Sequence, residues 1–124
     1  MTTGLASAIV NTWLDSIFAT ATCYVKLHTA DPGAAGATAA AAGDTTRKQA
    51  TMAAASGGSK AMTGTAGPWT NGGTSETLAD ISLWTAASSG TFNGSAALTT
   101  SQAWVSTNTF TLSSLSVAIT PIAA

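Results

Sequence analysis

Thr77-Leu78-Ala79-Asp80-Ile81-Ser82-Leu83-Trp84-Thr85 is the stretch that decides the fold. Ile81 and Leu83 fall on one side of an extended chain, with Leu78, Ser82 and Trp84 nearby, so a period of two governs and the segment reads as a strand. Ala87–Gly90 turns the chain, and Thr91–Leu98 returns. Asn93-Gly94 is the stronger hairpin dipeptide taken alone. Ser88-Ser89-Gly90 already makes a turn a few residues earlier, so Gly94 is read as a bulge or a close-packing site.

The same alternation recurs on both sides of this hairpin. In Thr22–Thr29, Cys23, Val25 and Leu27 oppose Tyr24, Lys26 and His28, as in a half-buried strand. Arg47–Ala53, Lys60–Thr65, Ala103–Val105, Thr107–Leu112 and Leu115–Thr120 are further strand candidates. Ser56-Gly57-Gly58-Ser59, Gly67-Pro68 and Asn71-Gly72-Gly73 punctuate them. Strands spaced by roughly ten residues predict a mainly β chain, an antiparallel β-sandwich or barrel of about eight short strands.

The N-terminal segment differs in period. Leu5, Ile9, Val10, Trp13, Leu14, Ile17 and Phe18 recur at intervals of three and four, which predicts an amphipathic helix with Thr2 or Thr3 capping its first turn. Ala19-Thr20-Ala21 has the small residues of a signal-peptide cleavage site. No Lys or Arg precedes Lys26, however, and Asp15 interrupts the apolar run, so the helix reading is preferred and synthesis without a signal peptide is expected. The run is too short to span a bilayer. Asp31-Pro32-Gly33 starts a turn. Ala34–Gly43 lacks any side chain large enough to anchor it, so it reads as a loop ordered against a partner or a solvated linker. A single domain, 1–124, is expected, with the helix in 1–20, an Ala/Gly-rich loop in 31–45 and a β-rich body in 46–124.

Composition narrows the function. The chain has 124 residues, among them 27 Ala, 23 Thr, 14 Ser and 12 Gly; only 7% are charged and the net charge is −1. A nucleic-acid footprint needs clustered Lys and Arg, which are missing. No cofactor is implied, because no P-loop, GxGxxG, GxSxG or HExxH motif occurs. His28 is the only histidine and has Asp31 alone nearby, too few ligands for a metal. Glu76 and Asp80 could pair as glycosidase carboxylates, but they sit at opposite ends of a turn-to-strand segment and a lone pair is rarely catalytic. The single Cys23 excludes an internal disulfide and reads as a small buried apolar residue. No catalytic residue is assigned, and an enzyme is not expected. Trp13, Trp69, Trp84 and Trp104 supply most of the bulk, which points to a core or a subunit interface. An alternative is that Trp69 and Trp104 stack on sugars in a carbohydrate-binding module.

Three stretches, in order, resemble a family of small virion proteins of tailed phages, mainly those infecting actinobacteria. They are Ile9-Val10-Asn11-Thr12-Trp13-Leu14; Tyr24-Val25-Lys26-Leu27-His28-Thr29-Ala30-Asp31-Pro32-Gly33-Ala34-Ala35-Gly36 with Thr45-Thr46-Arg47; and Ser82-Leu83-Trp84-Thr85-Ala86 through Gly90-Thr91-Phe92-Asn93-Gly94-Ser95, with Leu98-Thr99 and Ser101-Gln102-Ala103. Members are called head decoration, minor capsid, tail-fibre-like or minor tail proteins. The resemblance implies a virion structural protein with no catalytic residues. It implies partners that are copies of the chain itself, a trimer being expected, and major capsid or tail proteins of the same particle. Placement on the head surface is favoured over the tail, because no fibrous repeat or coiled-coil heptad is present. Candidate contact residues are Leu5, Ile9, Trp13 and Ile17 on the helix, Asp31, Pro32, Gly33, Ala34 and Ala35 in the loop, and Arg47. The competing reading of the helix is that it merely covers its own sheet.

Overall fold

The computed structural model describes residues 3–119. Within them the chain is mainly β, with one helix and eight strands in antiparallel sheets. Helix α1 spans Ser7–Ile17. The strands are β1 Tyr24–His28, β2 Lys48–Gln49, β3 Ser59–Ala61, β4 Ala66–Thr70, β5 Glu76–Trp84, β6 Phe92–Trp104, β7 Thr109–Leu112 and β8 Ser116–Ala118. Four form a sheet in the order β2-β1-β5-β6, and β3-β8 and β4-β7 are two-stranded ribbons.

The central hairpin is the one expected, and its register explains its face. Leu83 pairs with Val25 and Ile81 with Leu27, so these four residues line one side of the sheet. A ladder irregularity between Leu78 and Asp80 shifts the alternation by one, which brings Leu78 onto the same side. Across from them lie Ala66 and Trp69 of β4 and Leu112 of β7; Trp104 and Met52 complete one apolar cluster. The bulge expected at Gly94 falls one residue earlier: Gly94 pairs with Leu83 and Phe92 with Trp84, which leaves Asn93 as the extra residue. Close packing is not its cause, because the space beside Gly94 is open.

Several boundaries differ from the sequence reading. The Arg47–Ala53 candidate shrinks to Lys48–Gln49 plus a single bridge from Met52 to Met62, and Lys60–Thr65 becomes Ser59–Ala61. Ala103–Val105 is not a separate strand; residues through Trp104 extend β6. Ser116–Ala118 replaces Leu115–Thr120, whose last residue lies outside the described residues. No side chain caps α1: Ala6 holds the N-cap position, and Thr2 lies outside the described residues.

His28 also departs from its expected polar face. It is fully buried, because the loop after β1 folds back over that face. Ala40 bridges to His28, and Thr29 and Leu27 exchange backbone bonds with Ala39 and Ala41.

Candidate functional site

The loop is held by its own body, which corrects the expectation that it needs a partner or floats as a linker. Gly33 N–H donates to the Asp31 carboxylate at 2.8 Å, closing the turn, and Pro32 is buried beneath it. The His28 ring lies under the loop. Its Nδ1–H donates to the Thr38 carbonyl at 2.9 Å. At the loop's end the Glu76 carboxylate accepts from Ala42 N–H at 2.8 Å and Gly43 N–H at 3.1 Å. Glu76 is thus a clamp on the loop. Asp80 sits one ladder position from Ile81, opposite His28. Ala34 and Ala35 are exposed, as is Asp31.

Arg47 is likewise used within the chain. Its guanidinium lies 3.8 Å from the centre of the Trp84 ring and donates to the carbonyls of Ala86 at 3.0 Å and Ser89 at 2.6 Å. This ties the β5–β6 turn to the segment before β2 and stacks Arg47, Trp84 and Phe92 on the outer side of the sheet.

One arrangement carries a chemical signature that the sequence did not announce. Ser82 Oγ lies 2.7 Å from His28 Nε2. Since Nδ1 must donate to a carbonyl, Nε2 is the acceptor and the Ser82 hydroxyl donates to it. Trp84 Nε1–H donates to the same hydroxyl at 2.7 Å. The spacing is that of a nucleophile and its base. Both residues have no exposed surface, so no substrate can reach Oγ. Burial pushes the His28 pKa down, which keeps the ring neutral. The chain Trp84–Ser82–His28–Thr38 is a satisfied buried network.

The two indoles considered as a sugar platform cannot act as one. Trp69 and Trp104 are 0% and 1% exposed, so no ring face is available for stacking. Trp69 donates from Nε1 to the Thr46 carbonyl at 3.0 Å. Trp104 Nε1 finds no acceptor among the described residues. Those residues also contain no group of three His, Cys, Asp or Glu side chains able to hold a metal, and no helix long and apolar enough to cross a membrane.

Helix α1 presents an extended apolar surface. Val10 and Leu14 are buried against the body. Ile9, Trp13 and Ile17 step by four along the flank beside them and are 45–49% exposed, whereas Leu5, expected on the helix, lies ahead of its start at Ser7 and is 42% exposed. The orientation has a cause. Asn11 Oδ1 accepts from Gly58 N–H at 2.9 Å. Asp15 Oδ1 accepts from Ala55 N–H at 2.9 Å and from the Lys60 ammonium at 2.7 Å. Lys60 is itself nearly buried and also donates to the Ala53 carbonyl. The ammonium's hydrogen bond holds the Asp15 carboxyl below its ordinary pKa. Asn11 and Asp15 follow Val10 and Leu14 around the helix by about 100° each. Tethering them to the β3 turn rolls the opposite edge of the apolar arc into solvent.

The profile of a family described as podophage GP4 fiber I protein gp80 matches residues 1–120. No curated protein matches the chain.

Proposed function

This chain belongs to the podophage GP4 fiber I protein gp80 family, and on that premise we propose that it is a non-enzymatic structural subunit of a tailed-phage particle that works by packing against copies of itself and neighbouring virion proteins. The observation that carries this reading is the helical ridge Ile9-Trp13-Ile17, held outward by the tethers at Asn11 and Asp15 and extended by the exposed Leu5 ahead of the helix. Its exposed part amounts to roughly 400 Å², within the size of the largest apolar patch on an ordinary monomer and of the kind that often serves contact. At about 25 cal/mol per Å² its burial supplies about 10 kcal/mol, close to the association cost of about 4–15 kcal/mol. One such ridge is marginal alone and sufficient in a subunit touched on several sides. A closed trimer seats three ridges around one axis.

The family's description favours a fibre of the tail. Decoration of the head is supported by the lack of a fibrous repeat or coiled-coil heptad, and the order of the three resembling stretches supports an actinobacterial host. The test uses the full chain and the particle. Trp13→Asp should lower the oligomer to a monomer in native mass spectrometry and sedimentation while leaving the circular-dichroism spectrum unchanged. Immunogold labelling should mark tails if the chain is a fibre component and heads if it decorates capsids. A wild-type chain that stays monomeric at high concentration and is absent from purified particles sinks the reading.

A further inference from the structure

The wall around the core has a gap in it. β7, β4, β2, β1, β5 and β6 succeed one another, with β4 lying beside β2, but β6 and β7 share no ladder. A groove of about 540 Å³ runs between them. Leu98, Phe110, Leu112 and Leu115 give it apolar lining, serine and threonine give it hydroxyls, and no charged residue touches it.

Both walls are strand edges with backbone groups to spare. Beyond the ladder with β5, no backbone–backbone bond among the described residues involves Phe92–Trp104. Beyond the ladder with β4, none involves residues 109–114. Leu98–Ser101 fall between the ladder partners Ala97 and Gln102 and leave the ladder altogether. Edge strands normally guard themselves with Lys, Pro or inward charge. β6 has thirteen residues and neither a charge nor a proline among them.

We infer that this groove is a strand-acceptor site, taking an extended, uncharged segment of a neighbouring virion polypeptide. The segment's main chain pairs with the free edge of β6, and its alternate apolar side chains settle on Leu98, Phe110 and Leu115. The groove follows β6 from Ala96 to Gln102, so such a segment needs about six or seven residues, roughly 20 Å of strand. Only a main chain offers donors and acceptors at the repeat that an open edge presents. The uncharged lining selects against a charged stretch, which would lose its hydration without gaining a partner. The inference rests on the structural role proposed above.

The test compares amide hydrogen exchange of the full-length chain in isolation and inside purified phage particles. In the isolated chain, the amides of residues 96–102 and 110–114 that face the groove should exchange freely. In particles they should slow at least tenfold, and Thr100→Asp with Ser114→Asp, both at exposed positions, should abolish that slowing while the isolated variant melts as the wild type does. If particles contain the protein but those amides stay fast, the acceptor site is refuted and the structural role stands. If the amides are already slow in the isolated chain, its own residues fill the groove and the inference fails. Slowing in the isolated chain on addition of a host-wall oligosaccharide would show a sugar site and overturn it. Absence of the protein from particles removes both readings.

Discussion

Trp69 and Trp104 form a matched pair for measuring what one unmade hydrogen bond costs. Both are essentially without exposed surface and belong to the same apolar cluster. Replacing either by Phe removes the same atoms and empties roughly 40 Å³, which at about 24 cal/mol per Å³ adds about 1 kcal/mol to the shared loss of transfer energy. The polar terms have opposite sign. Trp69→Phe breaks the bond from Nε1 to the Thr46 carbonyl, worth about 1 kcal/mol net. Trp104→Phe removes an N–H that has no acceptor among the described residues, relieving about 1–3 kcal/mol of desolvation. Trp69→Phe should therefore lie about 3 kcal/mol below Trp104→Phe in stability, although the side-chain exchange is the same. Urea unfolding followed by circular dichroism measures the gap directly. In a chain of this size the thermal midpoints should differ by roughly 10 °C or more. Equal losses in the two variants would mean that the Trp104 N–H is satisfied in solution or that its burial costs nothing, and the reasoning would fail.

Acid should weaken the fold through His28. Burial lowers its folded pKa; the hydrogen bond to the Thr38 carbonyl and the Asp80 charge oppose that shift, and Lys26 adds to it, so below about pH 6.5 the unfolded chain binds more protons than the native one and stability drops as pH falls. The urea midpoint should be lower at pH 5.0 than at pH 7.5, and His28→Gln should shrink that difference; a wild-type midpoint that is flat over this range contradicts the buried neutral ring. Asp15 has a depressed pKa, so its contribution is present above the ordinary carboxylate pKa and is lost only as pH falls through the folded value, outside that window. Gly36 has φ +71, and a Cβ there would run into the Phe92 ring; Gly36→Ala should cost about 2 kcal/mol or more in urea unfolding, from left-handed strain plus the clash. Glu76→Ala removes the acceptor for Ala42 and Gly43 N–H. It should cost about 1–3 kcal/mol and speed amide exchange across residues 31–43, with no change in exchange at β7.

The β elements that could be read from sequence are those where side chains alternate over a run long enough to carry a face. The β1 and β5 strands are such cases. The Ser88-Ser89-Gly90 turn and the bulge next to Gly94 were legible for the same reason. What escaped was decided by distant chain. His28 looked polar because its strand neighbours are polar, yet the loop over residues 31–43 returns to cover it. That loop buries only small side chains of its own, Pro32 and Ala41. Its anchors are His28 and Glu76, on β1 and β5, and nothing in an Ala-rich run announces them. Arg47 is a contact candidate in sequence, while in the fold its Nη1 donates to two carbonyls of the β5–β6 turn. Short strands such as Lys48–Gln49 have too few residues for any period to show.

The helix shows the most useful mismatch between local pattern and tertiary setting. Its apolar residues run from Ile9 around to Phe18 and cover about half the circumference, wider than a single sheet contact requires. If burial alone set its roll, the body would sit near the middle of that arc, over Val10 and Ile17. Instead Asn11 and Asp15 are drawn to the turn at 55–60, and the contact shifts to Val10 and Leu14. Leaving Ile9, Trp13 and Ile17 about half in water forfeits several kcal/mol of burial at about 25 cal/mol per Å². The same roll brings the Lys60 ammonium, nearly buried, against Asp15, an arrangement that is costly unless both partners are held. Stability of the lone chain would be better served by an apolar residue at position 60 and a helix turned inward. That this sequence keeps the tethers and the exposed ridge together is the physical argument behind the proposal that α1 meets a neighbouring subunit.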